Sequence, residues 1–399
     1  MPTSESDKRH FYTQVSHDSV DTRHHGAISM PVYQSSLFAF ETHEKFDEAM
    51  KDVLAASVYS RGNNPTVMYL EDKIAQLEGG EAARCFASGM GAIAAVLFAL
   101  TGTGDHIVCV DQAYGPTREL LVDLSNRFGL EVTFIDGTDT DAFAAAIRPN
   151  TKLFYLESPT SGMFEMQDLP AVTKLAKTHG ILTAIDNSWA TPYFQKPIAL
   201  GCDLVMHSLT KYFSGHSDTV GGVVVGSREL LGLIGSRSYL NLGAAMAPQT
   251  ASLITRGLRT LPLRLERHQA SALKIAQHLA SKPDVVRVNH PGLEQYPQKE
   301  LADSQLTGYG GLFSFVTRHS VEKMKEWATG LQYFRIGVSW GGYESLVTAG
   351  AAPAKFNADG SAPSSVRLYI GIEDPEELIA DIDRSWARLK EPSQEAISS

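Results

Sequence analysis

Cysteine is scarce in this chain. Only Cys85, Cys109 and Cys202 occur in 399 residues, far apart and with no C-x-x-C pair. Neither a disulfide framework nor a cysteine zinc site fits that count and spacing. Three reduced, buried thiols do. Long apolar runs are missing too: none approaches the ~20 residues that span a bilayer. The polar stretch Met1 to Gln14 lacks the apolar core of a signal peptide. Basic charge is in deficit, with 35 Lys and Arg against 45 Asp and Glu and a net charge of −10. Nucleic-acid surfaces need a basic stripe, and the chain has none to offer. There is no H-E-x-x-H, G-x-G-x-x-G or P-loop motif. The 13 histidines do not group with the cysteines at zinc spacing. These absences point to a cytoplasmic chain with no metal, membrane or nucleic-acid partner.

What is present is a normal globular composition, 43% apolar and 20% charged. The length exceeds one ordinary domain. Residues 1–58 read as an N-terminal arm that bridges subunits, extended over 1–29, where Arg23, His24 and His25 precede Gly26. Residues 59–250 and 251–399 read as two further units. Asn64-Pro65 is a helix-start signal, and Val67, Leu70, Ile74 and Leu77 then recur at helical spacing before Gly79-Gly80. Beyond it, apolar strands are predicted at 83–87, 106–110, 131–135, 152–157, 182–186, 204–207 and 223–225, alternating with helices over most of this stretch. Strands apolar throughout belong to a parallel sheet covered on both faces, so the expected architecture is an open α/β sheet. After residue 250 the pattern changes. A long helical stretch (251–279), three short strands and a final helix with Leu378, Ile379, Ile382, Trp386 and Leu389 on one stripe predict a smaller α+β domain. A polar tail follows Glu391.

In an open α/β sheet, ligands sit beyond the carboxyl ends of the strands. Four segments put reactive groups there. Ser88-Gly89-Met90 is a strand-to-helix turn whose N–H groups suit an anion. Asp186 ends the apolar run that starts at Ile181. Ser208-Leu209-Thr210-Lys211 follows another strand, with hydroxyls at i−1 and i−3 of the lysine, a residue whose amine becomes nucleophilic when burial lowers its proton affinity. Arg367 sits inside the strand VRLYIGIE, where its planar fork needs an anionic partner. Tyr114 stands at another strand end, placed to stack on a flat ring.

Together these segments resemble the Cys/Met-metabolism family of pyridoxal-phosphate (PLP) enzymes. The resemblance runs over residues 10–390 and rests on YSRGNNPT, FASGMGAI, DNSWATP and SLTKYFSGHSDTVGG. It implies a type I (aspartate aminotransferase-like) fold: a large, mostly parallel-sheet cofactor domain plus a smaller C-terminal α+β domain. Lys211 would form the Schiff base with PLP, Asp186 would pair with the pyridinium nitrogen, and Tyr114 would stack on the ring. Gly89, Met90, Ser208 and Thr210 would hold the phosphate. Tyr59 and Arg61 would reach in from a neighbouring subunit of a homo-oligomer, normally a tetramer built as a dimer of dimers. Arg367 would grip the substrate carboxylate, with Ser339, Trp340 and Tyr239 nearby.

Within the family the chain resembles the cystathionine β-lyase branch. Trp340-Gly341-Gly342 stands where γ-acting members usually have Leu-Gly-Gly, and Ser161-Gly162 follows ESPT where they usually have Asn-Pro. The implied reaction is β-elimination of L-cystathionine, with γ-lyase, γ-synthase and cysteine desulfhydrase chemistry as alternatives on the same scaffold.

Overall fold

The computed structural model describes residues 5–18, 21–354, 357 and 359–389, with side chains from residue 10 onward. The tail expected after Glu391 lies outside the described residues. Two compact units emerge. The first comprises Met1–Ser161, Glu165–Pro262 and Ser304–Thr307; the second comprises Gly162–Phe164, Leu263–Asp303 and Gly308–Ser399.

The first unit is built on seven strands: β1 (Ala82–Phe86), β2 (His106–Val110), β3 (Glu131–Ile135), β4 (Thr151–Glu157), β5 (Leu182–Asp186), β6 (Leu204–Ser208) and β7 (Gly222–Gly226). Their order across the sheet is β1-β7-β6-β5-β4-β2-β3. Strands β2 to β6 pair in parallel. The exception is β7, antiparallel to both β1 and β6. Its sequence, GVVVG, is as apolar as the rest, so composition does not reveal its direction. The antiparallel insertion brings the start of β7, Gly222, level with the ends of its neighbours, Phe86 and Ser208.

The helix Pro65–Glu78 forms where the spacing predicts it. Asn64 caps it by accepting from the Thr66 N–H, and Gly79 ends it at φ +82°. Val67, Leu70, Ile74 and Leu77 are all buried, and each such side chain contributes about 1.5–3 kcal/mol. The extended start expected over 1–29 is overturned in part: Glu5–Ser16 is a helix. Among its described side chains Phe11 and Val15, one turn apart, are buried, a sparse pattern to read from sequence. The long helix expected over 251–279 is two, Pro248–Leu258 and Leu261–Ala280. Pro262 supplies the reason, because its ring clashes with the carbonyl four residues back, at Leu258.

One crosspiece comes from far along the chain. Gln305 accepts from the Leu169 N–H at 2.9 Å and donates to the Gln167 carbonyl at 3.0 Å, and the Thr307 N–H reaches the Phe194 carbonyl at 2.9 Å. The second unit carries a five-stranded sheet: β8 (Val285–Asn289), β9 (Leu312–Thr317), β10 (Arg335–Ile336), β11 (Leu346–Ala351) and β12 (Ser364–Tyr369), in the order β10-β11-β12-β9-β8. Its final helix, Pro375–Arg388, buries Leu378, Ile382 and Trp386.

Candidate active site

The carboxyl edge of the large sheet gathers the polar strand ends. Phe86, Gly222 and Ser208 lie in register across β1, β7 and β6. Glu157 lies in register with Asp186 across β4 and β5.

The anion turn is shaped by close approach. Helix Gly89–Leu100 begins here, and Ser88 caps it by accepting from the Gly91 N–H. The N–H groups of a first turn lack intrahelical partners and sit at the positive end of the helix dipole. A Cβ on Gly89 would lie 3.1 Å from the Ser208 side chain, and one on Gly222 only 2.3 Å from the Ser88 carbonyl oxygen. Glycine at both positions therefore lets turn, strand end and β7 converge. The Thr210 hydroxyl faces the same edge of β7, accepting from the Gly221 N–H at 3.1 Å and reaching its carbonyl at 3.3 Å.

Lys211 is half-buried in the turn after β6, its N–H donating to the Ser208 carbonyl at 3.1 Å and its carbonyl accepting from Gly215 at 3.0 Å. Asp186 accepts from the Ser188 N–H at 2.9 Å, and the Ser188 hydroxyl oxygen accepts from the Ser208 N–H at 2.7 Å. This relay fixes the end of β5 against the end of β6. Tyr114 starts the helix Gly115–Phe128 with its side chain 42% exposed. Its N–H donates to Glu157 at 2.7 Å. Gly89, Met90, Asp186, Ser208, Thr210 and Lys211 are likewise only half-buried, while Phe86, Glu157 and Leu209 between them are buried. The sheet edge is thus open where the polar groups are and closed between them.

The remaining expectations lie on other segments of the chain. Tyr59 is 52% exposed, with its backbone bridged to Leu37. The exposed Arg61 donates to the Leu240 carbonyl. Tyr239, expected on the substrate side, is 2% exposed. Its ring lies edge-on to Phe86 at 5.2 Å with the Arg84 guanidinium against it, so in this chain it packs behind β1. Arg367, Ser339 and Trp340 belong to the second unit. Arg367 lies on β12 in register with Thr348 and Ser314. Ser339 takes φ +74° just ahead of Trp340, a left-handed conformation that costs a non-glycine residue about 1 kcal/mol or more.

Three participants escaped sequence reasoning: Glu157, Ser188 and Gly222. Glu157 carries the signal that singled out Asp186, an apolar run ending in a carboxylate. Ser188 and Gly222 carry no such signal, because their roles come from pairing across the sheet.

The residues on this edge fit a flat, phosphorylated aldehyde cofactor. The helix start and the glycine-lined cradle beside Ser208 suit its phosphate, Asp186 suits a ring nitrogen, and Lys211 suits an aldehyde. That combination on an open α/β sheet defines a PLP enzyme of the type I fold. Comparison with known proteins gives the family. The family model described as Cys/Met metabolism PLP-dependent enzyme matches residues 12–387. The chain is 38% identical to L-methionine gamma-lyase of Pseudomonas putida, over 94% of this chain and 96% of that one. It is 39% identical to cystathionine gamma-lyase of Bacillus subtilis, over 91% and 95%. It is 38% identical to cystathionine beta-lyase of Lactococcus lactis subsp. cremoris, over 93% and 97%. The crystal structure of metB from Corynebacterium glutamicum matches with a TM-score of 0.87 at 35% identity, covering 95% of this chain and 98% of that one. The chain belongs to the Cys/Met-metabolism family of PLP-dependent enzymes. No group of His, Cys, Asp or Glu that could hold a metal occurs among the described residues, and no helix among them is long and apolar enough to cross a membrane.

Proposed function

We propose that this carbon–sulfur lyase acts by β-elimination on L-cystathionine, releasing homocysteine, pyruvate and ammonia. The observation that carries the choice of β over γ is Gly162 at φ +95°. Proline is locked near −65°, so the Asn-Pro usual in γ-acting members cannot occupy this backbone. The turn beyond β4 therefore takes a path of its own, beyond a change of side chains. Trp340, behind the left-handed Ser339, points the same way.

When bound, PLP supplies an electron sink for the carbon next to the substrate amine. The chain supplies the rest. Lys211 would anchor the aldehyde, and its Nζ would be the base for the Cα proton. Asp186, steadied by Ser188, holds a proton on the ring nitrogen. Gly89, Met90, Ser208 and Thr210 hold the phosphate. Tyr114 would cover the ring, and its hydroxyl or Lys211 would be the proton donor for the departing sulfur. Arg367 grips the α-carboxylate, with Ser339 and Trp340 beside it. General acid–base help of this kind contributes about 10²–10⁴-fold. Tyr59 and Arg61, exposed on their loop, serve the active site of a second copy in a homo-oligomer.

The test is purified holoenzyme with L-cystathionine, separating pyruvate from 2-oxobutyrate while the visible spectrum is recorded. Pyruvate with homocysteine is the expected outcome. 2-Oxobutyrate would move the assignment to a γ-lyase and leave fold and cofactor in place.

A further inference from the structure

We propose that Glu157 is a positioning residue for this reaction: its buried carboxylate clamps the two loop ends that flank the cofactor edge, at Tyr114 and at Ser161. The inference rests on the site reading above.

The geometry is specific. Glu157 is 5% exposed at the end of β4. One carboxylate oxygen accepts from the Tyr114 N–H at 2.7 Å, and the other accepts from the Ser161 N–H at 2.5 Å. The two donors belong to different connections, one leaving β2 and one leaving β4. Tyr114 occupies the N-cap position of its helix and makes no side-chain cap bond. Glu157 accepts from the N–H of the N-cap residue itself, the bond that a Glu at the third helical position makes in a capping box, here supplied from a neighbouring strand.

The placement works against Glu157 electrostatically. It stands in register with Asp186, a second carboxylate on the adjacent strand. Burial first, and then the Asp186 charge, push the Glu157 carboxyl above the ordinary range, while the Ser161 and Tyr114 hydrogen bonds pull it back. A buried acid beside another acid is costly, and a Gln here would avoid that cost. What Gln cannot do is accept from both N–H groups, since its own NH₂ would face one donor with another. Each oxygen of the Glu157 carboxyl accepts from one loop, and those two hydrogen bonds favour its charged form against burial and Asp186. Those loops carry the ring-covering Tyr114 and the Ser161-Gly162 turn that separates this chain from γ-acting members, so one side chain sets cofactor placement and the substrate-side turn together.

The test compares wild-type, Glu157→Gln and Glu157→Asp holoenzymes. Three quantities are read: hydrogen exchange at the Tyr114 and Ser161 amides, visible circular dichroism of bound PLP, and kcat and KM with L-cystathionine. In Glu157→Gln we expect full cofactor occupancy, at least about tenfold faster exchange at one or both amides, and a weakened dichroic band. We expect kcat to fall about 10–100-fold with KM within about threefold, the scale of a 1 Å misplacement. Glu157→Asp keeps the charge on a shorter arm and should recover part of the dichroism and of kcat. Wild-type exchange, dichroism and kcat in Glu157→Gln would overturn the proposal. So would loosened amides with unchanged dichroism and kcat, which would make Glu157 a purely structural clamp. If Glu157→Gln does not fold, Glu157→Asp decides alone, because wild-type protection at both amides there would refute the two-handed clamp. Failure of the underlying site reading shows separately, as a borohydride-reducible chromophore that survives in Lys211→Ala.

Discussion

The edge of the large sheet and the segment around Ser339 in the second unit are built in opposite ways. The sheet edge is tied by short polar side chains bonded to backbone groups and by close backbone approach. Gly89 and Gly222 sit where a Cβ would press on Ser208 or Ser88, Thr210 is tied to Gly221, and Ser188 joins the ends of β5 and β6. Around Ser339 the chain is more exposed: Ile336 is 65% exposed, Val338 82% and Tyr343 53%. Gly350 on β11 has no atom within 4 Å of where its Cβ would stand. In the proposed assignment the sheet-edge groups hold a cofactor common to the whole family, which leaves them little freedom, and the Ser339 segment faces the substrate, which differs among relatives at nearly equal identity to this chain.

The sharpest test of the contrast is Lys211→Ala, expected to lower pyruvate release by more than about 10⁴-fold and to remove the borohydride-reducible chromophore. Next, Arg367→Lys keeps the charge but loses the planar fork. It should raise KM for L-cystathionine about 10–100-fold with kcat little changed, which is the pattern of lost uniform binding. The contrast would break if kcat fell instead.

Gly222→Ala and Gly350→Ala compare the two units directly. The first forces a methyl onto the Ser88 carbonyl and should destabilise the protein by about 1–3 kcal/mol with weaker PLP retention. The second should be close to neutral in thermal unfolding. Equal effects would refute the account of a tightly packed and a more exposed region.

A modest further effect is electrostatic. Burial would raise the Asp18 carboxyl, but hydrogen bonds from Lys73, Tyr69 and Arg259 outweigh it and hold it at about 2, below its ordinary 3.8. A depressed folded-state value stabilises at higher pH and loses that contribution as pH falls from about 4 through about 2. Asp18→Asn should therefore lower the unfolding temperature at pH 6, with the gap closing toward pH 2. A gap constant with pH would remove the ion pair as its cause.

Much of this was legible in the order of residues. The strands at 106–110 and 182–186 lie where apolar runs put them, because a sheet covered on both faces leaves a continuous signal. Lys211 and Asp186 stood out as polar groups ending such runs. The direction of β7 was hidden, since an apolar strand looks alike read either way. The packing of Tyr239 was hidden because its partners, Arg84 and Phe86, lie some 150 positions away in the chain. Glu157 was masked by its neighbours Ser161-Gly162, whose departure from the usual Asn-Pro is the louder signal in that segment. Backbone strain at Ser339 has no sequence signal at all, since serine there betrays nothing about φ.

The Gln305 crosspiece has a bearing on how the protein is made. The first unit is not finished when residue 262 leaves the ribosome. Its 167–169 segment waits for an amide encoded some 140 codons later, after the second unit has begun. A truncated product ending at Pro262 would contain every residue assigned to the cofactor and still lack the piece that closes the unit. The two units are thus interleaved in synthesis, and neither is a segment that can be cut out at a single bond.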